Sequence, residues 1–184
     1  MTVFTRRNLV LGAASMPLVA CSNGIGGRGA AEIDARVDST LQFLYERYPG
    51  TVDLKNRAAG MLIMPLITEV GLGLGGSFGT GALKIGASTV DYYSAASGSA
   101  GLQIGAQQFS HVLFFMTQEA LLEFRTSPGW SAGADLEYAV SDQGEVLRAE
   151  TITSLSPVIA VVFAQTGLRV GATLEGTKYT RIIP

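Results

Sequence analysis

The hydrophobic period of the chain changes after its first helices. From Glu32 to Tyr48 apolar residues recur at Ile33, Val37, Leu41, Leu44, Tyr45 and Tyr48, the spacing of a helix with one buried stripe. Arg36, Arg47, Glu32, Asp34, Asp38 and Glu46 fill its other side, and Pro49-Gly50 stops it. A short second helix is expected from Asp53 to Ala59, capped by Thr51 and ended by Gly60. After Gly60 the period falls to two. Gly71–Ser77, Gly101–Gln107 and Gly167–Thr173 share the form Gly-Leu-x-aliphatic-Gly-small-polar, each a strand with one apolar face and one nearly bare face. Glycine weakens a strand unless something needs the space. The bare faces therefore predict either a strongly curling sheet or close approach of a ligand. Further strands are expected at Thr89–Ala95, His111–Met116, Ala132–Val140, Val158–Ala164 and Lys178–Ile183. Thr117 caps a helix running to Arg125, with Leu121, Leu122 and Phe124 inward and Pro128-Gly129 beyond its end. The predicted fold class is α+β: a curled, barrel-like antiparallel β-sheet with two or three helices.

The first residues have a different character. Arg6-Arg7, the apolar run Leu9–Ala20 and the small residues before Cys21 give the order charged, apolar, small of a secretory signal. That run is shorter than the roughly 20 residues needed to cross a bilayer. Leu18-Val19-Ala20-Cys21 reads as the lipobox of a bacterial lipoprotein, with Cys21, the only cysteine, as the lipidation site. A diacylglycerol plus an amide-linked chain gives a stable anchor where one acyl chain gives a marginal one. Thr5–Val10 partly matches a twin-arginine motif, and export by that route or by the general secretory route fits. Ser22, rather than Asp, follows the cysteine and points to an outer-membrane anchor facing the periplasm. Ser22–Ala31 is Gly-rich, the composition of a flexible tether. The expected organisation is a signal peptide over 1–20, a tether over 21–31 and one domain over 32–184.

Composition narrows the chemistry. Hydrophobic residues make up 47% of the chain and charged ones 15%, against a usual ~25% charged, which fits one well-packed domain. The formal net charge is −2, with no basic run, so nucleic acid is not an expected partner. His111 is the only histidine, expected at a sheet margin. Ser97-Gly98-Ser99-Ala100-Gly101 lacks the first glycine of a nucleophile elbow and leads into strand pattern rather than helix. Gly71–Gly76 satisfies G-x-G-x-x-G, yet no helix pattern follows it. No His/Cys cluster suits zinc and no carboxylates have calcium-loop spacing. Neither an enzyme nor a cofactor is expected. Trp130 reads as a core plug or an interfacial anchor.

Several longer segments carry a resemblance. They are Ala59–Pro65, Gly71–Gly81, Tyr93–Gln107, Phe115–Leu121, Pro157–Ala160 and Leu174–Lys178. In number and order they resemble the SYLF domain, also called the Ysc84 actin-binding domain, from about Ala58 to Ile183. The resemblance implies a non-enzymatic domain that binds lipids or membranes. Eukaryotic members are tied to phosphoinositides and, in fungi, to actin, through a basic amphipathic N-terminal segment. In this chain the helix 32–48 is mixed in charge. Lys84, Arg169, Lys178 and Arg181 are the strand-borne candidates for head-group contact, Arg169 having Glu175 as an alternative partner. The expected function is a lipid-anchored periplasmic protein of the cell envelope whose partners are membrane lipids, through anionic head groups or acyl chains. The alternative is a structural or assembly protein that docks another envelope protein through its sheet, with lipid contact only through Cys21.

Overall fold

One antiparallel ribbon dominates the molecule. The computed structural model describes residues 27–133, 137–138, 156–164, 167–168, 174 and 176–184. Helices α1 (Arg28–Arg47) and α2 (Thr51–Arg57) lead into strands β1 (Gly60–Ile85) and β2 (Ser88–Phe115). Helix α3 (Gln118–Thr126) follows, then β3 (Trp130–Ser131), β4 (Glu137–Tyr138), β5 (Val158–Ala164), β6 (Gly167–Leu168) and β7 (Lys178–Ile182). The 26-residue β1 and 28-residue β2 pair along their whole length through the two-residue turn Gly86-Ala87. Gly86 sits at φ +60°, while no non-glycine residue among those described has positive φ, the pattern of a type II′ hairpin. The strands expected at 71–77, 89–95, 101–107 and 111–116 are thus stretches of two continuous strands. Ser97-Gly98-Ser99 resembles a turn locally, but Ser77 and Ser97 share a cross-strand hydroxyl hydrogen bond of 2.7 Å.

The ribbon does not run straight. Its register shifts at Met64/Ile67, Leu72/Gly73 and Leu83/Lys84, and such irregularities bend a strand and increase its twist. β1 then folds back on itself: a Cβ on Gly79 would collide with the Leu66 carbonyl, and one on Gly81 with the Ile63 carbonyl. At these two positions the bare face serves the chain's own backbone. Architecture, not a ligand, fills the space here.

β2 is the hub of the sheet, whose order is β3-β7-β2-β5-β4, with β1 on β2 and β6 on β5. Its first half pairs β7 (Tyr93 opposite Arg181) and its second half pairs β5 (Val112 opposite Val161). All pairings are antiparallel except β4 with β5. The result is an α+β fold with, among the described residues, three helices and a curled, half-barrel sheet.

Each face of the sheet carries its own core. On one side Val37, Leu41 and Leu44 of α1 pack with Met61, Ile63, Val112, Phe114, Val161 and Phe163. On the other, Leu121 and Phe124 of α3 pack with Leu62, Met64, Leu113, Phe115, Val162 and Tyr179. Strands covered on both faces read as unbroken apolar runs, as 61–64 and 112–115 do. Trp130 rims the second core, with ring centroids 5.5 Å from Phe124 and 5.8 Å from Tyr179.

Local departures from expectation have local causes. Helix α1 starts at Arg28, four residues before Glu32, because Ala30 is fully buried against the core. Thr51 lies inside α2, its Oγ1 donating back to the Tyr48 carbonyl at 2.7 Å, so it is not the cap. Thr117 does cap α3, accepting from the Ala120 amide at 3.2 Å. Leu122 is 62% exposed, since Ala120, Leu121 and Phe124 already form the inward stripe. Of the strand expected at 132–140, Ala132 and Gly133 are not strand, Glu137–Tyr138 is β4, and the rest lies outside the described residues. Of the expected strand Gly167–Thr173, Gly167–Leu168 is strand and the rest lies outside the described residues, as do 1–26, Cys21, Arg169 and Glu175.

Candidate lipid-facing site

The expected cations separate into different settings. Lys84 lies one residue before the end of β1, where Nζ meets Asp38 Oδ1 of α1 at 2.7 Å, its side chain 13% exposed. One turn earlier on α1, Asp34 accepts from Thr89 Oγ1 at 2.9 Å and from the Tyr92 hydroxyl at 2.8 Å. Burial, with Asp34 adding to it, pushes the Tyr92 hydroxyl up to about 12, so it stays a donor. The acidic side of α1 is therefore a clamp onto the hairpin end. Lys84 is a structural cation.

Lys178 and Arg181 point to opposite sides of β7. Lys178 shares the parity of Ile182, which packs toward α1, while Arg181 shares that of buried Tyr179 on the α3 side. Lys178 is exposed and has no ion pair among the described residues; its stem crosses Gly129, where a Cβ would collide with it. Arg181 Nε reaches Asp91 Oδ1 at 3.0 Å, and Arg125 of α3 reaches Asp91 Oδ2 through Nη2 at 3.1 Å. Lys84, Lys178 and Arg181 thus do not form one patch.

The ribbon supplies a different surface. Leu66, Val70 and Phe78 on β1 are 40%, 54% and 59% exposed, three of the five large exposed apolar residues among those described. Val70 and Phe78 stand at even positions of β1, on either side of the register shift at Leu72/Gly73. Gly79 and Gly81 stand at odd positions, where the strand closes on its own backbone. These two glycines thus face inward on the fold, while Val70 and Phe78 stay exposed.

His111 does not sit at a margin. It lies in mid-sheet, 1% exposed, its Nε2 hydrogen-bonded with the Tyr179 hydroxyl at 2.8 Å. Nδ1 has no partner among the described residues. Burial lowers this histidine to about 3, so the ring is neutral at physiological pH. The stretch 97–101 lies within β2 and 71–76 within β1, so neither has the strand-turn-helix context of an elbow or a dinucleotide loop.

Sequence reasoning missed Asp91 as the partner of Arg181, with Arg125 on the same carboxylate, and missed the exposed apolar residues of the ribbon. The latter had a signal: apolar alternation in 70–78 without a second apolar face to pack against. No curated protein matches the chain. Residues 96–181 match the family model Ysc84, described as "Las17-binding protein actin regulator". That segment runs from mid-β2 through α3 and the remaining strands almost to the end of β7, and over it the chain is similar to the Ysc84 (SYLF) family.

Proposed function

We propose that this is a non-enzymatic lipid-binding protein of the cell envelope, anchored through Cys21 in the outer membrane and facing the periplasm, whose ribbon touches a lipid surface. The observation that carries the reading is the exposure of three large apolar side chains on β1, Leu66, Val70 and Phe78. The match of residues 96–181 to the Ysc84 model supports it, since the resemblance to SYLF domains implies lipid or membrane contact. Actin regulation, named in the family description, has no expected counterpart in the periplasm.

Magnitudes say how such a site works. Full burial of a Leu, Val or Phe side chain is worth about 1.5–3 kcal/mol, and half-exposed ones return about half of that. Three of them yield on the order of 4 kcal/mol, an affinity near millimolar. Alone that is weak. An acylated Cys21, joined to α1 by a segment of roughly 25 Å at full extension, would hold the ribbon close to lipid and make the second contact intramolecular. Anchor and ribbon then act as the two signals that stable attachment requires.

The test is flotation of the Cys21→Ser chain with vesicles at millimolar lipid. Partial flotation, lost in Leu66→Ser/Val70→Ser/Phe78→Ser, is the expected result. No flotation of the parent at any lipid concentration would reject the reading and leave a protein-docking role with Cys21 as the lipid contact.

A further inference from the structure

Two guanidinium groups converge on one buried carboxylate on the α3 side of the sheet. Asp91 is 3% exposed; Arg125 places Nε and Nη2 on its Oδ2 at 3.2 and 3.1 Å, and Arg181 places Nε on its Oδ1 at 3.0 Å. A single carboxylate cancels one of the two positive charges. Each guanidinium carries five N–H donors, so both keep outward donors, on side chains 39% and 64% exposed. Tyr93 is the direct register partner of Arg181 and lies two residues from Asp91 on the same face of β2. Its hydroxyl is buried and has no partner among the described residues. Burial and the Asp91 charge raise this hydroxyl while Arg181 and Arg125 pull it down, so it lies within the field of all three groups.

We propose that Arg125 and Arg181, oriented by Asp91, form an oxyanion site for a phosphate mono- or diester. Planar guanidinium forks match pairs of phosphate oxygens. Asp91 holds both forks in place beforehand, which lowers the entropy cost of ordering two long side chains on a ligand. A carboxylate that only needed neutralising would require one arginine. The second leaves one unit of positive charge at the surface. The phosphate is either a lipid head group or a free phosphate compound, and for the lipid source the proposal rests on the membrane reading above.

The experiment titrates the full-length Cys21→Ser chain with inorganic phosphate and follows the Arg Nε–Hε resonances by NMR. Saturating shifts at both Arg125 and Arg181 are expected. Arg181→Gln leaves Arg125 on Asp91, keeping the carboxylate paired, and weakens phosphate binding about tenfold. Asp91→Asn/Arg181→Gln keeps the net charge of the site but releases Arg125, and it weakens binding by a similar factor. Circular dichroism confirms that both variants remain folded. Vesicles of phosphatidylglycerol then separate the two sources. If Arg181→Gln also loses flotation, the site takes head groups; if flotation is unchanged, it takes free phosphate and membrane contact belongs to the ribbon. Absence of a saturating shift at either arginine, or a response undiminished in both variants, overturns the proposal whatever the vesicles show.

Discussion

Gly81 lies against the carbonyl of Ile63, closer than any side chain would permit. This contact, with its neighbour between Gly79 and Leu66, is where β1 closes on itself. It turns a ribbon that would otherwise be long and open into a curled sheet with two cores. Gly81→Ala is expected to lower stability by about 3 kcal/mol, the upper end for overpacking, because backbone rather than a flexible side chain must move. Gly98→Ala, in the same ribbon with no atom within 4 Å, is the control and should stay within about 0.5 kcal/mol. Chemical denaturation of both variants measures the difference.

The buried imidazole makes stability depend on pH. His111 is lowered to about 3 in the folded chain from its usual 6.5, by burial. The unfolded chain therefore takes up a proton as pH falls through 6.5, while the folded chain resists until about 3. Stability present above pH 6.5 is lost progressively between those values. The loss at pH 5 is about 2 kcal/mol. His111→Gln cannot titrate, so its fall in stability from pH 7 to pH 5 should be smaller by that amount. Equal falls in the two proteins would show that His111 is not the titrating group.

Helix α1 is held by polar contacts as well as by its apolar stripe. Asp34→Ala strands the Tyr92 hydroxyl and frees Thr89, and should cost about 1–2 kcal/mol. Asp34→Ala combined with Tyr92→Phe should cost less than the sum of the single changes, because the second removes the stranded group. A double-mutant cycle on denaturant midpoints checks the coupling. Lys84→Ser, by contrast, is expected to change lipid flotation little, because Lys84 is engaged with Asp38.

The helices were legible in the sequence because a single apolar stripe specifies a helix and its buried side. Leu122 was misread because it adjoins Leu121, and only the three-dimensional stripe of Ala120, Leu121 and Phe124 decides between them. Strand type was equally legible, but strand length was not. Ser97-Gly98-Ser99 has turn composition, and its continuation as strand depends on Ser77 and Gly76 across the ribbon. The bare glycine faces were seen, yet what fills them at Gly79 and Gly81 is backbone from earlier in the same strand, which no local pattern reveals. Among the candidate cations, Lys84 and Arg181 have their carboxylate partners, Asp38 and Asp91, in distant segments. Charge and strand position alone made both cations candidates for head-group contact. The exposed Val70 and Phe78 sit in apolar alternation with a bare opposite face, and the fold leaves them 54% and 59% exposed.

The most direct test places a polarity-sensitive dye on the ribbon. In a Cys21→Ser background, Phe78→Cys and Ala87→Cys are each labelled with nitrobenzoxadiazole and mixed with vesicles at millimolar lipid. Position 78 is exposed on β1, and position 87 lies in the exposed hairpin turn. The account predicts a blue shift and brighter emission at 78, with no change at 87. No change at 78, or equal change at both, would contradict a ribbon that meets the lipid surface.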